Sequence, residues 1–155
     1  MSNINALKKA KSAKRIMKEI KQLEEKKTEF YSVKPDGDNI YLLVGTLKGP
    51  KDSAYEDQIY KLEIRLSENF PFKAPSVTFK DKIYHPNVGP SGVICVDILQ
   101  NKWNPSSDLI CLLACIQVLM YEPNPSSPLN GGAARLFKDK KAYYKKVKEV
   151  YESNK

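Results

Sequence analysis

Residues 60–66, Tyr-Lys-Leu-Glu-Ile-Arg-Leu, alternate strictly between apolar and charged side chains. Successive side chains of a β-strand point to opposite faces, so this pattern predicts a strand with one buried face. Two further strands are predicted before it, at 30–33 and 40–47, and a fourth after it, at 76–79. Turn-forming residues at 36–39 and 49–53 separate the first three strands, which favours an antiparallel meander.

Helical patterns lie on both sides of this meander. Apolar residues recur every three or four positions from Ala6 to Lys26, with lysines between them, which predicts an amphipathic helix. Residues 109–120 are almost wholly apolar and predict a buried helix, and shorter helical patterns follow at 133–138 and 143–151. The sequence therefore predicts an α+β fold, with an N-terminal helix, a four-stranded antiparallel sheet and C-terminal helices packed on one face.

The start of the apolar helix has several possible capping residues. Ser106 or Ser107 can cap it, with Asp108 placed in the positive first turn. Before these residues, the chain from 81 to 105 has no clear period and contains five Pro and Gly residues, which prevent long regular elements. Binding and catalytic residues often lie in such segments.

The length, charge and cysteines limit the possible functions. A chain of 155 residues suits one domain, and no run approaches the roughly 20 apolar residues that span a bilayer. The N-terminus has no secretory signal pattern, and three cysteines do not suggest a disulfide framework, so we expect a cytoplasmic or nuclear protein without a membrane segment. With His85 as the only histidine, we expect no metal site.

The net charge of +8 is concentrated at the two ends of the chain. Residues 1–30 carry nine Lys/Arg against four Asp/Glu, and residues 135–155 carry eight against three. The middle, residues 31–134, carries nine against eleven. Basic ends indicate either an acidic partner, such as an acidic protein or a nucleic acid, or simply solvated helix faces.

Cys95 is the one cysteine outside a helical apolar pattern, because Cys111 and Cys115 lie four residues apart in the apolar helix. Its irregular surroundings allow a reactive thiol, although a free cysteine is also commonly a small buried apolar residue. The residues alone leave both possibilities open.

A multi-part motif surrounds this cysteine. Tyr84-His85-Pro86-Asn87 precedes Ile94-Cys95, and Asp97-Ile98-Leu99 and Trp103-x-Pro105 follow it. This arrangement closely resembles the active-site signature of ubiquitin-conjugating enzymes. The similarity extends over residues 13–151, which implies a catalytic domain there and a short basic extension at 1–12 that continues into the first helix.

The resemblance implies an acyltransferase that works through Cys95. This residue would accept ubiquitin from the activating enzyme as a thioester and transfer it to a substrate lysine or to a ligase. Exchange between thioesters needs a usable thiolate but no strong general base, so His85 and Pro86 are expected to be structural residues of the active-site loop. No cofactor is expected, because ATP is used upstream by the activating enzyme.

Three further residues receive roles from the resemblance. Asn87 would either stabilise the oxyanion that forms when a lysine attacks the thioester or stabilise the loop. Asp97 would help to orient or to deprotonate the incoming lysine. Ser127 stands where many members of the family have an aspartate at the gate of the site, which leaves reactivity toward free lysine open.

The resemblance also implies partner surfaces. Ligases of the RING or HECT type would contact Phe72, Pro105 and Ser106, while Ser32 could bind a second ubiquitin on the outer face of the sheet. We expect a monomer with protein partners and no nucleic-acid function. The residues expected to bind the activating enzyme lie on the first helix: Lys8, Lys9, Lys11, Lys14, Arg15 and Lys18.

Three alternatives compete with this interpretation. A conjugating enzyme for SUMO would carry extra residues between Cys95 and Trp103, which this chain lacks. A non-catalytic ubiquitin-binding module would have lost the cysteine and usually the run from His85 to Asn87, yet both are present. A nucleic-acid-binding protein would need aromatic residues interleaved with a basic patch, whereas most tyrosines here fall on predicted core positions.

Overall fold

Four antiparallel strands form one sheet in the order β1-β2-β3-β4, so that strands adjacent in the sequence are adjacent in the sheet. In the computed structural model, which describes residues 2–155, the strands are β1 (Tyr31–Asp36), β2 (Asn39–Lys48), β3 (Ile59–Arg65) and β4 (Ser76–Phe79). The predicted meander is confirmed, and the strand at 76–79 agrees to the residue.

The helices are α1 (Ser2–Glu25), α2 (Leu109–Tyr121), α3 (Gly131–Leu136) and α4 (Lys140–Glu152), with a short 3₁₀ turn at Asp97–Leu99. The predicted fold class is therefore confirmed. Helix α1 begins four residues before the periodic pattern does, so residues 2–12 of the predicted basic extension are helical. No helix within the described residues is both long and apolar enough to cross a membrane.

The predicted cap of α2 is wrong. Asp108 is the N-cap, and its Oδ1 accepts a hydrogen bond from the Cys111 N–H at 2.7 Å. The two serines belong to the preceding turn, where the Ser107 N–H donates to the Asn104 carbonyl at 2.8 Å and Ser106 binds the Asn104 side chain. A carboxylate suits this position, because it binds a free N–H of the first turn and interacts favourably with the positive end of the helix dipole.

One face of the sheet forms the core. Tyr60, Leu62 and Ile64 of β3 are buried beneath the helices, while the alternating charged residues of that strand lie on the outer face. Helix α2 contributes five buried residues to the core, as predicted, whereas Val118 on its other side is 62% exposed. The buried residues of the helix belong to the same core as those of α1 and the sheet.

The segment between β4 and α2 carries the motif and is pinned to the sheet at Gly92. This glycine has a φ of +89°, and its carbonyl accepts a hydrogen bond from the Phe79 N–H at 2.9 Å. A Cβ at this position would lie 2.0 Å from the Phe79 carbonyl oxygen. A side chain is therefore excluded on both backbone and steric grounds, and the loop that leads to Cys95 can lie directly against β4.

Candidate active site

Cys95 is half-buried at the end of the loop that Gly92 anchors. Its N–H donates to the Asn87 carbonyl at 2.8 Å, and Val88 and Ile94 form an isolated antiparallel bridge beside it. These contacts bring the two halves of the motif together. Its Sγ accepts a hydrogen bond from Nε2 of Gln100 at 3.6 Å.

The side chain of Asn87 holds a second loop against this one. Asn87 is 1% exposed; its Oδ1 accepts from the Asn124 N–H at 2.8 Å, and its Nδ2 donates to the carbonyls of Asn124, at 2.8 Å, and Ser127, at 3.3 Å. Of the two predicted roles, these contacts support loop stabilisation. Donation to an oxyanion would require one of these hydrogen bonds to break.

His85 is 1% exposed, and both of its ring nitrogens have hydrogen-bond partners. Its Nδ1 accepts from the Asn87 N–H at 2.9 Å, which leaves Nε2 as the donor to the Leu119 carbonyl, also at 2.9 Å. Burial lowers the pKa of His85 to about 4, despite the opposing effect of the Leu119 carbonyl. The imidazole is therefore neutral at physiological pH with both nitrogens occupied, and it cannot act as a base for Cys95 without leaving these partners. Its neighbour Pro86 accepts backbone hydrogen bonds from Leu129 and Asn130.

Asp97 and Ser127 lie in the two loops that border the cysteine. Asp97 begins the 3₁₀ turn after Cys95, and its carboxylate lies 3.4 Å from the Lys102 ammonium group, with both side chains exposed. Ser127 is exposed, and its carbonyl is the Asn87 acceptor. A gate role for Ser127 and lysine orientation by Asp97 remain predictions.

Gln100 was missed by the reasoning from the sequence. It follows the 3₁₀ turn, and its N–H donates to the Asp97 carbonyl at 3.0 Å, which turns the chain back so that the side chain reaches Cys95. The signal available in the sequence was a polar amide residue five positions after the cysteine, immediately beyond the Asp97-Ile98-Leu99 run.

Comparison with known proteins agrees with this geometry. The family model described as ubiquitin-conjugating enzyme matches residues 15–151. This chain belongs to that family.

Relatives of the chain include "Ubiquitin-conjugating enzyme E2 2" of Saccharomyces cerevisiae, 42% identical over 142 residues that cover 91% of this chain and 83% of the relative. "Ubiquitin-conjugating enzyme E2 1" of Caenorhabditis elegans is 40% identical over 92% of this chain and 75% of its own length. A solved structure of the H. polymorpha ubiquitin conjugating enzyme Pex4p, in complex with the soluble domain of Pex22p, superposes with a TM-score of 0.87 at 29% identity, covering 92% of this chain and 97% of that one.

The chain is therefore an enzyme of ubiquitin conjugation, a transferase with the fold of that family. Members of the family form thioester intermediates and interact with ubiquitin, an activating enzyme and ligases. Within residues 2–155, no group of three or more His, Cys, Asp or Glu side chains could hold a metal ion.

The other two thiols of this conjugating enzyme lie on α2, outside the motif. Cys111 is exposed and Cys115 is half-buried. Burial, reinforced by Cys111, raises the pKa of the Cys115 thiol. Both thiols line a groove of about 520 Å³ together with Asp97 and Val118, so the exposed apolar side of α2 adjoins the Cys95 loop.

Arg15 is held by contacts within the chain, and its assignment to the surface for the activating enzyme remains a prediction. Its guanidinium donates to the carbonyls of Pro105, at 3.0 Å, and Ser107, at 2.9 Å, and contacts the Glu19 carboxylate at 3.3 Å. Glu19 is 3% exposed and accepts the Leu109 N–H at 2.7 Å. This pair, which the sequence did not reveal, ties α1 to the loop before α2.

The five lysines predicted for the same surface are all exposed, namely Lys8, Lys9, Lys11, Lys14 and Lys18. Phe72 is 81% exposed and borders a groove of about 580 Å³ that Lys8 and Lys11 also line. Pro105 and Ser106 are exposed as well. Trp103 instead packs, because its ring lies 6.0 Å from that of Phe70 and its Nε1 donates to the Pro71 carbonyl at 2.7 Å.

The position assigned to a second ubiquitin lies on the outer face of the sheet. Ser32 is exposed on β1 opposite Thr46 of β2, while its neighbour Val33 is buried. The exposure that such a role requires is present, and the role itself remains a prediction.

Proposed function

We propose that the chain accepts ubiquitin from the activating enzyme as a thioester on Cys95 and transfers it to a lysine amine or to a ligase. The observation that carries this proposal is the position of the cysteine between two loops that are bonded to each other. Cys95 lies between two loops that Asn87 joins through its backbone and its side chain. A half-buried thiol in a loop can meet a large acyl donor, and Cys95 is the thiol that lies within the motif.

The chemistry needs no group beyond those of the chain. The Cys95 thiolate attacks the carbonyl of the incoming thioester, its S–C bond forms, and the donor's C–S bond breaks with release of the donor thiolate. The two thioesters have similar energy, so we propose that no cofactor takes part and that ATP is used by the activating enzyme. Because a free thiol must persist, we propose that the enzyme works in a reducing compartment, the cytoplasm or nucleus.

Two neighbouring surfaces suit the protein partners of this reaction. We assign the activating enzyme to the exposed lysines of α1, whose charge suits an acidic surface. Ligases would contact Phe72, Pro105 and Ser106. Because Lys8, Lys11 and Phe72 line one groove, the two partners would compete for it.

Incubation with an activating enzyme, ATP and a panel of modifiers tests the proposal directly. We expect an adduct with ubiquitin that a thiol reductant removes, and Cys95→Ser should replace it with a slower, reductant-resistant oxyester. Cys111→Ser and Cys115→Ser are the matched controls, and both should keep the reducible adduct.

Each contrary result has its own meaning. Reducible charging of Cys95→Ser would move the active site to another cysteine. Charging with a different modifier alone would support conjugation of that modifier. No adduct with any modifier, while the folded chain still binds ubiquitin, would support a non-catalytic binding module.

A further inference from the structure

The Gln100 carboxamide is placed to act on the reacting sulfur. Its Nε2 lies 3.6 Å from Sγ of Cys95, and its own backbone is held by the Asp97 carbonyl. Asn87, the amide that the motif suggests, has its Nδ2 bound to two carbonyls of the neighbouring loop. The amide available to the sulfur is therefore that of Gln100.

We propose that Gln100 is a further catalytic residue of this enzyme and that its carboxamide stabilises the negative charge on the Cys95 sulfur when the thioester breaks. This proposal rests on the proposed role of Cys95. When a lysine amine attacks the thioester carbonyl, the N–C bond forms and the C–S bond breaks. The electron pair of the C–S bond remains on sulfur as a thiolate, and the amine proton passes to water. An N–H donor binds a thiolate more strongly than a neutral thioester sulfur, so the hydrogen bond strengthens as the bond breaks.

The two steps of the enzyme should depend on this hydrogen bond differently. In charging, the Cys95 thiolate is the nucleophile, and a donor that stabilises it also lowers its reactivity. In discharge to lysine, the thiolate is the leaving group, and stabilisation helps without an opposing effect. Loss of the donor should therefore slow discharge more than charging.

Three substitutions at one position separate the donor from the rest of the side chain. Gln100→Met keeps the length and removes the N–H, Gln100→Lys keeps an N–H donor, and Gln100→Glu places a negative charge beside the thiolate. Asn101→Ala is the matched control, because Asn101 is exposed and adjoins the same turn.

Single-turnover discharge of pre-charged enzyme to free lysine is the first measurement. Gln100→Met should discharge about three- to tenfold more slowly, the size of one hydrogen bond to an exposed group. Gln100→Glu should be slower still, whereas Gln100→Lys should discharge at least as fast as the unmodified enzyme, because its ammonium group also donates to the thiolate. Asn101→Ala should stay near the unmodified enzyme. Equal discharge rates for Gln100→Met and the unmodified enzyme would overturn the proposal, although normal charging would leave the proposed function intact.

Alkylation of Cys95 by iodoacetamide at high pH, followed by the mass of its peptide, gives a second readout. Gln100→Met should react faster than the unmodified enzyme, since a thiolate without a donor is more nucleophilic. Alkylation of Gln100→Met no faster than that of the unmodified enzyme would refute the assignment.

Discussion

Acidification should destabilise the folded enzyme through His85, its only histidine. Burial lowers the pKa of this imidazole from 6.5 to about 4 in the folded state. Between these values the unfolded chain binds a proton that the folded protein does not, so stability present above pH 6.5 is lost as the pH falls toward 4. At about 1.4 kcal/mol for each pKa unit, the loss from this residue should reach about 3 kcal/mol.

Urea denaturation at several pH values measures this loss when the enzyme is compared with His85→Asn. The Asn amide oxygen can replace Nδ1 as the acceptor of the Asn87 N–H, although the hydrogen bond to the Leu119 carbonyl is lost. The variant should be less stable at pH 7, and the difference between the proteins should shrink by about 3 kcal/mol by pH 4. Carboxylates titrate in both proteins and largely cancel in the difference.

Parallel stability curves for the two proteins would refute the reasoning. If His85→Asn does not fold, the native imidazole provides an independent measurement. Its NMR signals should remain those of a neutral ring between pH 5 and 7.5, because burial holds its pKa near 4. A transition near 6.5 would show that the ring is protonated in the folded state without cost.

Three further predictions separate structural residues from binding residues. Arg15→Ala should lower the free energy of unfolding by about 2 kcal/mol, because it removes hydrogen bonds to two carbonyls and leaves a buried carboxylate without its cation. The double variant Lys14→Glu with Lys18→Glu should change the free energy of unfolding by less than about 1 kcal/mol. It should nevertheless slow charging in a salt-dependent manner. Urea denaturation and charging rates at low and high salt test both, and an unchanged charging rate for the lysine pair would contradict electrostatic docking. Asn87→Ala should also lower the free energy of unfolding by about 2 kcal/mol, and it should slow charging and discharge together. A lower rate of discharge alone, with stability unchanged, would instead support the oxyanion role.

The sequence alone determined the regular elements and the family. Alternation in β3 and the helical period of α1 are local patterns, and each reports which side of its own element is buried. The motif around Cys95 is likewise defined by the spacing of its residues along the chain. The membership of the chain in a conjugating-enzyme family could therefore be inferred without coordinates. The predicted helix cap was wrong because the two serines adjoin Asp108, which was placed in the first turn, and only backbone geometry selects Asp108 as the N-cap.

The roles of individual side chains were decided by the tertiary structure. Asn87 binds residues 37 and 40 positions away, and Arg15 binds carbonyls 90 and 92 positions away. No local pattern encodes such partners, since they meet only when the helix, the sheet and the loops have packed. Tertiary packing also decides which side of α2 is exposed, because a uniformly apolar sequence cannot indicate which side meets the sheet. Gln100 reaches Cys95 for a related reason: the 3₁₀ turn reverses the chain, and its geometry sets the distance between the amide and the sulfur.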